Sequence, residues 1–179
     1  MTHRTTDAPS PRRPDGTWLR RARPEDAEPL TDLHLDCWDD AYTGLMPQST
    51  LAERRAGRAE RVEKWRAILA EAGEEDATWV AEDPDGMVGF ASAGPGRDND
   101  LAGEIDTEVK ALYVRASRWG SGVGYALFEA AVGDRAAYLW VLAGNDRAIR
   151  FYERQGFRLD GTEDEHDEGR HVRMVRAGL

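Results

Sequence analysis

Residues 111–142 limit most strongly what this chain can fold into. "ALYV" (111–114) ends a strand-like stretch, and three glycines follow on alternate positions, Gly120, Gly122 and Gly124. A helical pattern opens at once, with Val123, Leu127, Phe128 and Ala131 on one face, and "AAYLWVL" (136–142) then reads as a buried strand. A tight turn joins only antiparallel strands, whereas a parallel pair needs a crossover. Strand, helix and strand in this order therefore imply one parallel pair.

The flanking segments point to antiparallel pairing. Residues 17–22 form a short strand, and Pro24, Glu25 and Asp26 suit a first helical turn. Ala27, Leu30, His34, Cys37, Trp38 and Ala41 repeat at helical spacing, and a second helical stretch starts near Ser49 with Val62, Trp65, Leu69 and Ala72 inward. "DPDG" (83–86) between the apolar runs 77–82 and 87–94 is a hairpin turn. Residues 103–115 read as a longer strand and 145–155 as a helix ending at Gly156. "FRLDG" and "RHVRMVRA" form a last hairpin around the acidic turn "TEDEHDE". The expected class is α+β (mixed α/β): a mostly antiparallel twisted sheet of six to seven strands with strands 4 and 5 parallel, flanked by about four helices.

Composition sets outer bounds. The chain has 179 residues, 40% hydrophobic, which suits one domain, expected over 17–179 behind a disordered leader at 1–16 rich in Pro, Thr and Arg. No apolar run nears the roughly 20 residues of a membrane span, and the start has no secretory h-region. The single cysteine, Cys37, excludes a disulfide framework and a Cys-based zinc site, and His166 and His171 lack the partners of a metal site. A reducing cytoplasm is the expected home, and no metal is expected. The net charge of −10 argues against a nucleic-acid partner. It is compatible with a cationic substrate, but acidity first serves solubility.

The glycine loop fails two phosphate signatures. A Walker loop needs Gly-Lys-Ser/Thr, and no lysine follows Lys110. A dinucleotide fingerprint needs a third glycine where Tyr125 or Leu127 stands. What remains is an anion device of backbone N–H groups at a helix N-terminus, with Arg115 and Arg118 as candidate phosphate partners, or a turn with no ligand. Downstream, Asn145, Ala148, Ile149 and Tyr152 share one helix face, while Arg147, Arg150 and Arg154 read as a solvated face. A polar amide and a phenol beside core residues need polar partners.

At these residues the sequence resembles the GCN5-related N-acetyltransferase (GNAT) superfamily. Its loop pattern, Gln/Arg-x-x-Gly-x-Gly/Ala, falls on Trp119-Gly120-Ser121-Gly122-Val123-Gly124, with Trp119 where Gln or Arg is usual. "N-x-x-A-x-x-F-Y-x-x-x-G-F" is spelled by Asn145, Ala148, Phe151, Tyr152, Gly156 and Phe157, and the front end, with Trp38, Tyr42 and a Gly-x-x-Pro, is similar to bacterial members. The resemblance spans 17–176. It implies that strands 4 and 5 splay and that acetyl-CoA is the co-substrate. Backbone at Leu112, Tyr113 and Val114 would bind the pantetheine arm, and Arg118 to Tyr125 would seat the pyrophosphate. Asn145 would hold the pantetheine amide region.

It further implies transfer of the acetyl group to a primary amine, on a small molecule or peptide, by direct attack in a ternary complex. Tyr152 is the implied acid. Glu108, on the strand leading to the acyl site, is the first choice for the base; Glu104 is the second, and water is the remaining route. Trp38 and Tyr42 are either an acceptor wall or core aromatics, and His34 reads as a core or rim histidine. Cys37 has no activating neighbour, which disfavours a covalent enzyme intermediate. The alternatives are a non-catalytic CoA-binding module and a transferase for a longer acyl-CoA. The chain could be a monomer or a homodimer.

Overall fold

The computed structural model describes residues 10–73, 75–166 and 168–178. A seven-stranded sheet runs in the order β1-β2-β3-β4-β5-β7-β6. The strands are β1 (Trp18–Arg21), β2 (Ala77–Asp83), β3 (Gly86–Pro95), β4 (Thr107–Val114), β5 (Ala137–Leu142), β6 (Arg158–His166) and β7 (Gly169–Arg176). Helices α1 (Ala27–Tyr42), α2 (Gln48–Ala56) and α3 (Arg58–Glu71) precede β2; α4 (Val123–Ala131) joins β4 to β5, and α5 (Asp146–Arg154) follows β5. Among the described residues there are five α-helices rather than about four, because the second helical stretch breaks at Gly57. Among the described residues no helix is long and apolar enough to cross a membrane.

Every neighbouring pair is antiparallel except β4–β5, as the crossover through α4 requires. That parallel pair has one registered contact, Glu108 opposite Tyr138. Residues 109–114 and 139–142 are therefore unpaired with each other, and the sheet opens into a wedge.

Each face of the sheet carries its own core. On one, Val123, Leu127 and Phe128 of α4 pack with Ala91, Ala93, Val109, Phe157 and Met174, flanked by Leu112 and Val114. On the other, Leu30, Leu33 and Cys37 of α1 and Leu69 of α3 cover Val80 and Phe90, flanked by Ala111 and Tyr113. Strict alternation would put Val109 with Ala111 and Tyr113. The ladder pairs Ala93 with Val109 and Ser92 with Ala111, leaving Lys110 as a bulge that reverses the faces.

Two segments differ from the sequence reading. Residues 103–106 are not strand; they belong to the β3–β4 loop, which is fastened to the sheet. The Tyr138 hydroxyl accepts from the Arg97 and Asp98 N–H groups at 2.6 and 2.9 Å. Arg173 of β7 donates to Asp98 (2.8 Å), Asp100 (2.6 Å) and Asp160 (2.7 Å). The acidic stretch 163–166 lies in β6 rather than in a turn.

Residues 1–9 of the expected leader lie outside the described residues. Its remainder folds back on β1: Ser10 N–H donates to the Leu19 carbonyl at 2.7 Å, and Arg13 N–H to the Thr17 carbonyl at 2.6 Å.

Candidate active site

The wedge continues into a groove of about 360 Å³. Leu112 and Val114 form one wall; Ala148, Phe151 and Tyr152 of α5 form the other. The glycine loop closes one end. Gly120 and Gly122 have φ of +76° and +88°, and Gly122 is the N-cap of α4. Side chains rarely adopt that backbone, so glycine is required where the amides turn to face an incoming anion.

The groove gathers many of the expected residues: Leu112, Val114, Arg118, Trp119, Gly120, Gly122, Gly124, Tyr125 and Tyr152 all line it. Val123 lies beneath the loop, fully buried. Ser121 is exposed and does not line the groove; its hydroxyl donates to the Arg118 carbonyl at 2.7 Å. Tyr113 sends its ring to the opposite face, 4.8 Å from His34. Asn145 is buried as the cap of α5, its Oδ1 accepting from Ala148 N–H at 3.1 Å, and its side chain meets Tyr42.

Trp119 explains its own departure from the family spelling. Its indole N–H donates to the Val114 carbonyl at 2.8 Å, and its ring carries the Arg147 guanidinium 3.5 Å from the centroid. Arg147 thus brings to the loop the positive charge that residue 119 lacks. Arg154 lines the same groove. These are functional candidates that sequence reasoning missed, because an exposed arginine on a helix looks like any other solvated one. The expected phosphate partners are instead engaged: Arg115 donates to Asp36 at 2.8 Å, and Arg118, still at the groove, is paired with Asp83. Arg147→Ala is expected to weaken acetyl-CoA binding roughly tenfold, the scale of a charged hydrogen bond, with kcat little changed. Titration calorimetry with acetyl-CoA checks this.

Tyr152 is 8% exposed, and no hydrogen bond from its hydroxyl occurs among the described residues. Burial, with Tyr42 nearby, pushes its phenol above the ordinary tyrosine value, so it is a protonated donor at neutral pH.

Glu108 is placed differently from expectation. It sits at the closed end of the wedge, 2% exposed, and does not line the groove. Arg97 donates to its carboxylate through Nε (2.9 Å) and Nη2 (2.5 Å), and the Tyr138 hydroxyl adds a third contact at 3.3 Å. Both oxygens are held, which suits a tie between loop and strands rather than a base. Glu104 is exposed in the β3–β4 loop.

Trp38 and Tyr42 pack with Met46, Leu51 and Leu142, their rings 4.6 Å apart, on the sheet face away from α4. His34, half-buried beside them, is pushed down to about 3, first by burial and then by Arg54 and Arg61, so it is neutral. Burial likewise pushes the Cys37 thiol up to about 12, far from the thiolate a covalent route needs.

The comparisons agree with this geometry. The profile described as "Acetyltransferase (GNAT) domain" matches residues 74–159. The chain is 26% identical over 152 residues to a probable N-acetyltransferase, Rv2775, of Mycobacterium tuberculosis, covering 83% of this chain and 84% of that one. It is 28% identical over 168 residues to the uncharacterized N-acetyltransferase YuaI of Bacillus subtilis, covering 90% of each. The crystal structure of the PaiA N-acetyltransferase of Thermoplasma acidophilum in complex with coenzyme A superposes with a TM-score of 0.67 at 16% identity, covering 90% of this chain and 98% of that one. A sheet parted at β4 and β5 and a glycine loop at the mouth of the wedge accompany the match to an acetyltransferase (GNAT) domain over residues 74–159, and the chain is similar to these N-acetyltransferases.

Proposed function

We propose that the protein transfers the acetyl group of acetyl-CoA to a primary amine by direct attack within a ternary complex. The observation that carries this reading is the groove itself, which runs from a cradle of backbone amides to a buried, protonated tyrosine between two parted strands. A pyrophosphate at Gly120–Gly124 would meet those amides and the positive end of α4, with Arg147 and Arg154 as cationic partners. An extended pantetheine arm would add to the free edge of β4 as a further strand, and a β4 N–H would polarise the thioester carbonyl.

The amine arrives from the side of Trp38 and Tyr42. It must be neutral to attack, and alkylammonium groups near 10.4 must first lose a proton. With Glu108 held by Arg97 and Tyr138, that proton leaves to water. As the C–N bond forms and the C–S bond breaks, Tyr152 supplies a proton to the departing sulfur. The nitrogen, an amide in the product, loses its second proton to solvent, and solvent returns a proton to the Tyr152 phenolate.

The test is thiol release from acetyl-CoA across a panel of amines, beside calorimetric binding of acetyl-CoA alone. Amine-dependent release is the expected result. Tight binding with no release for any amine would favour a CoA-binding module, and faster release from a longer acyl-CoA would move the assignment to that acyl group.

A further inference from the structure

A single 3-10 turn, Ala116–Arg118, folds the chain back after β4 and sets Trp119 over Val114, five residues earlier. Which way the Val114 carbonyl points decides what that contact means. The Arg115 N–H donates to the Val88 carbonyl at 2.9 Å, so the backbone of Arg115, and of Tyr113 two residues before it, is turned toward β3. In an antiparallel ladder the residues between are turned the other way. Val114 and Leu112 therefore present their N–H and C=O groups to the wedge. The Trp119 indole N–H, a group that can only donate, occupies the Val114 carbonyl on that edge at 2.8 Å.

The same indole is gripped from the opposite wall. Arg147, the second residue of α5, lays its guanidinium 3.5 Å from the ring centroid, and both side chains line the groove. One contact ties the ring to β4 and the other ties it to α5, so the pair spans the groove. Trp119 is 39% exposed and belongs to none of the three apolar clusters, so turning it away leaves no cavity behind. Both groups it holds are ones that the proposed cofactor needs. An added strand bonds to the free edge of β4, and a pyrophosphate at Gly120–Gly124 has Arg147 as its partner.

We infer that Trp119 and Arg147 form a latch across the cofactor groove, which acetyl-CoA opens by taking the Val114 carbonyl with an amide N–H of its arm and Arg147 with its phosphates. The inference rests on the proposed acetyl-CoA site and is indifferent to the amine. An arginine–phosphate pair outweighs an exposed cation–π contact, which draws Arg147 off the ring. The indole bond meets no charged competitor. It lowers the apparent affinity in proportion to the molecules whose edge is closed. One net hydrogen bond makes that factor roughly 3- to 10-fold. In the empty protein the latch also occupies part of an unpaired strand edge, the region of a sheet most open to pairing with another chain.

The experiment uses Trp119→Phe, which keeps a ring under Arg147 but has no N–H. Titration calorimetry compares it with the wild-type protein for acetyl-CoA and for ADP, a pyrophosphate without the arm. Acetyl-CoA is expected to bind the variant about 3- to 10-fold more tightly, and ADP within about twofold of wild type. The thermal midpoint of the free variant should fall by about 2–4 °C, since the lost bond stabilises the closed form alone. Acetyl-CoA binding that is unchanged or weaker would overturn the inference, because the indole would then not compete with the cofactor. An equal gain for ADP would overturn it too, by placing the effect at the glycine loop instead of the strand edge. The expected binding pattern with no amine-dependent thiol release would support the latch while overturning the transferase reading. No binding of acetyl-CoA to either protein would overturn both.

Discussion

Tyr152→Phe is expected to lower kcat for acetyl transfer by about 100-fold, within the range attributed to a positioned general acid. The acetyl-CoA dissociation constant should stay within about twofold, because the ring that packs against Phe151 and Phe157 is retained and only the hydroxyl is lost. The pH profile separates an acid from a structural hydroxyl. Burial raises the phenol above its ordinary value of about 10, so it stays protonated across the working range and contributes no fall in kcat below that pH. The acid limb, set by deprotonation of the amine, should therefore be the same in both proteins while the plateau differs. Wild-type turnover in the variant would remove Tyr152 from the mechanism.

The architecture could be read because each of its signals is local. The parallel pair follows from the strand–glycine–helix–strand order, and the "DPDG" turn and the stop at Gly156 are likewise decided by nearby residues. What misled were features set by partners distant in sequence. Glu108 lies on the strand that leads to the acyl site, and regular alternation would put it on the face of Leu112; the bulge at Lys110 reverses that count, and the bulge exists only in the pairing with β3. Arg115 and Arg118 were natural phosphate partners beside the loop until Asp36 and Asp83 came within reach across the fold. The reverse happened to Arg147, which looked like a surface residue until the Trp119 ring arrived beneath it. Residues 103–106 and 163–166 exchanged roles for the same reason: polar segments take their conformation from whatever they pair with.

Arg173→Met tests what holds the closed end of the wedge. The side chain is 5% exposed and serves Asp98, Asp100 and Asp160 at once, joining the β3–β4 loop to β6 and β7. Removing it leaves Asp98 and Asp160, both under 20% exposed, without a cationic partner and with only the Trp140 and Thr162 N–H groups, while Asp100, at 61%, can turn to water. Breaking a buried pair from one side costs about 3 kcal/mol, the low end of its range being chosen for the solvated third partner. For a chain of this size that is a fall in the thermal midpoint of roughly 6–12 °C. The loop also carries Arg97, the partner of Glu108, so activity should fall with stability, whereas Tyr152→Phe should leave the midpoint unchanged. The pH dependence has a definite sign. Burial alone would raise Asp160, but the Thr162 N–H and Arg173 together hold it below its ordinary value, and Arg173 holds Asp100 low as well. A depressed carboxylate contributes stability that is complete above its unfolded value, near 4, and is lost as the pH falls through the folded one. The gap between wild type and Arg173→Met in calorimetric melts should thus be full at pH 7 and narrow below about pH 4. A gap that stays constant down to pH 3 would mean that the arginine stabilises the wedge through packing against the Trp140 ring, 5.6 Å from its guanidinium carbon, rather than through its ion pairs.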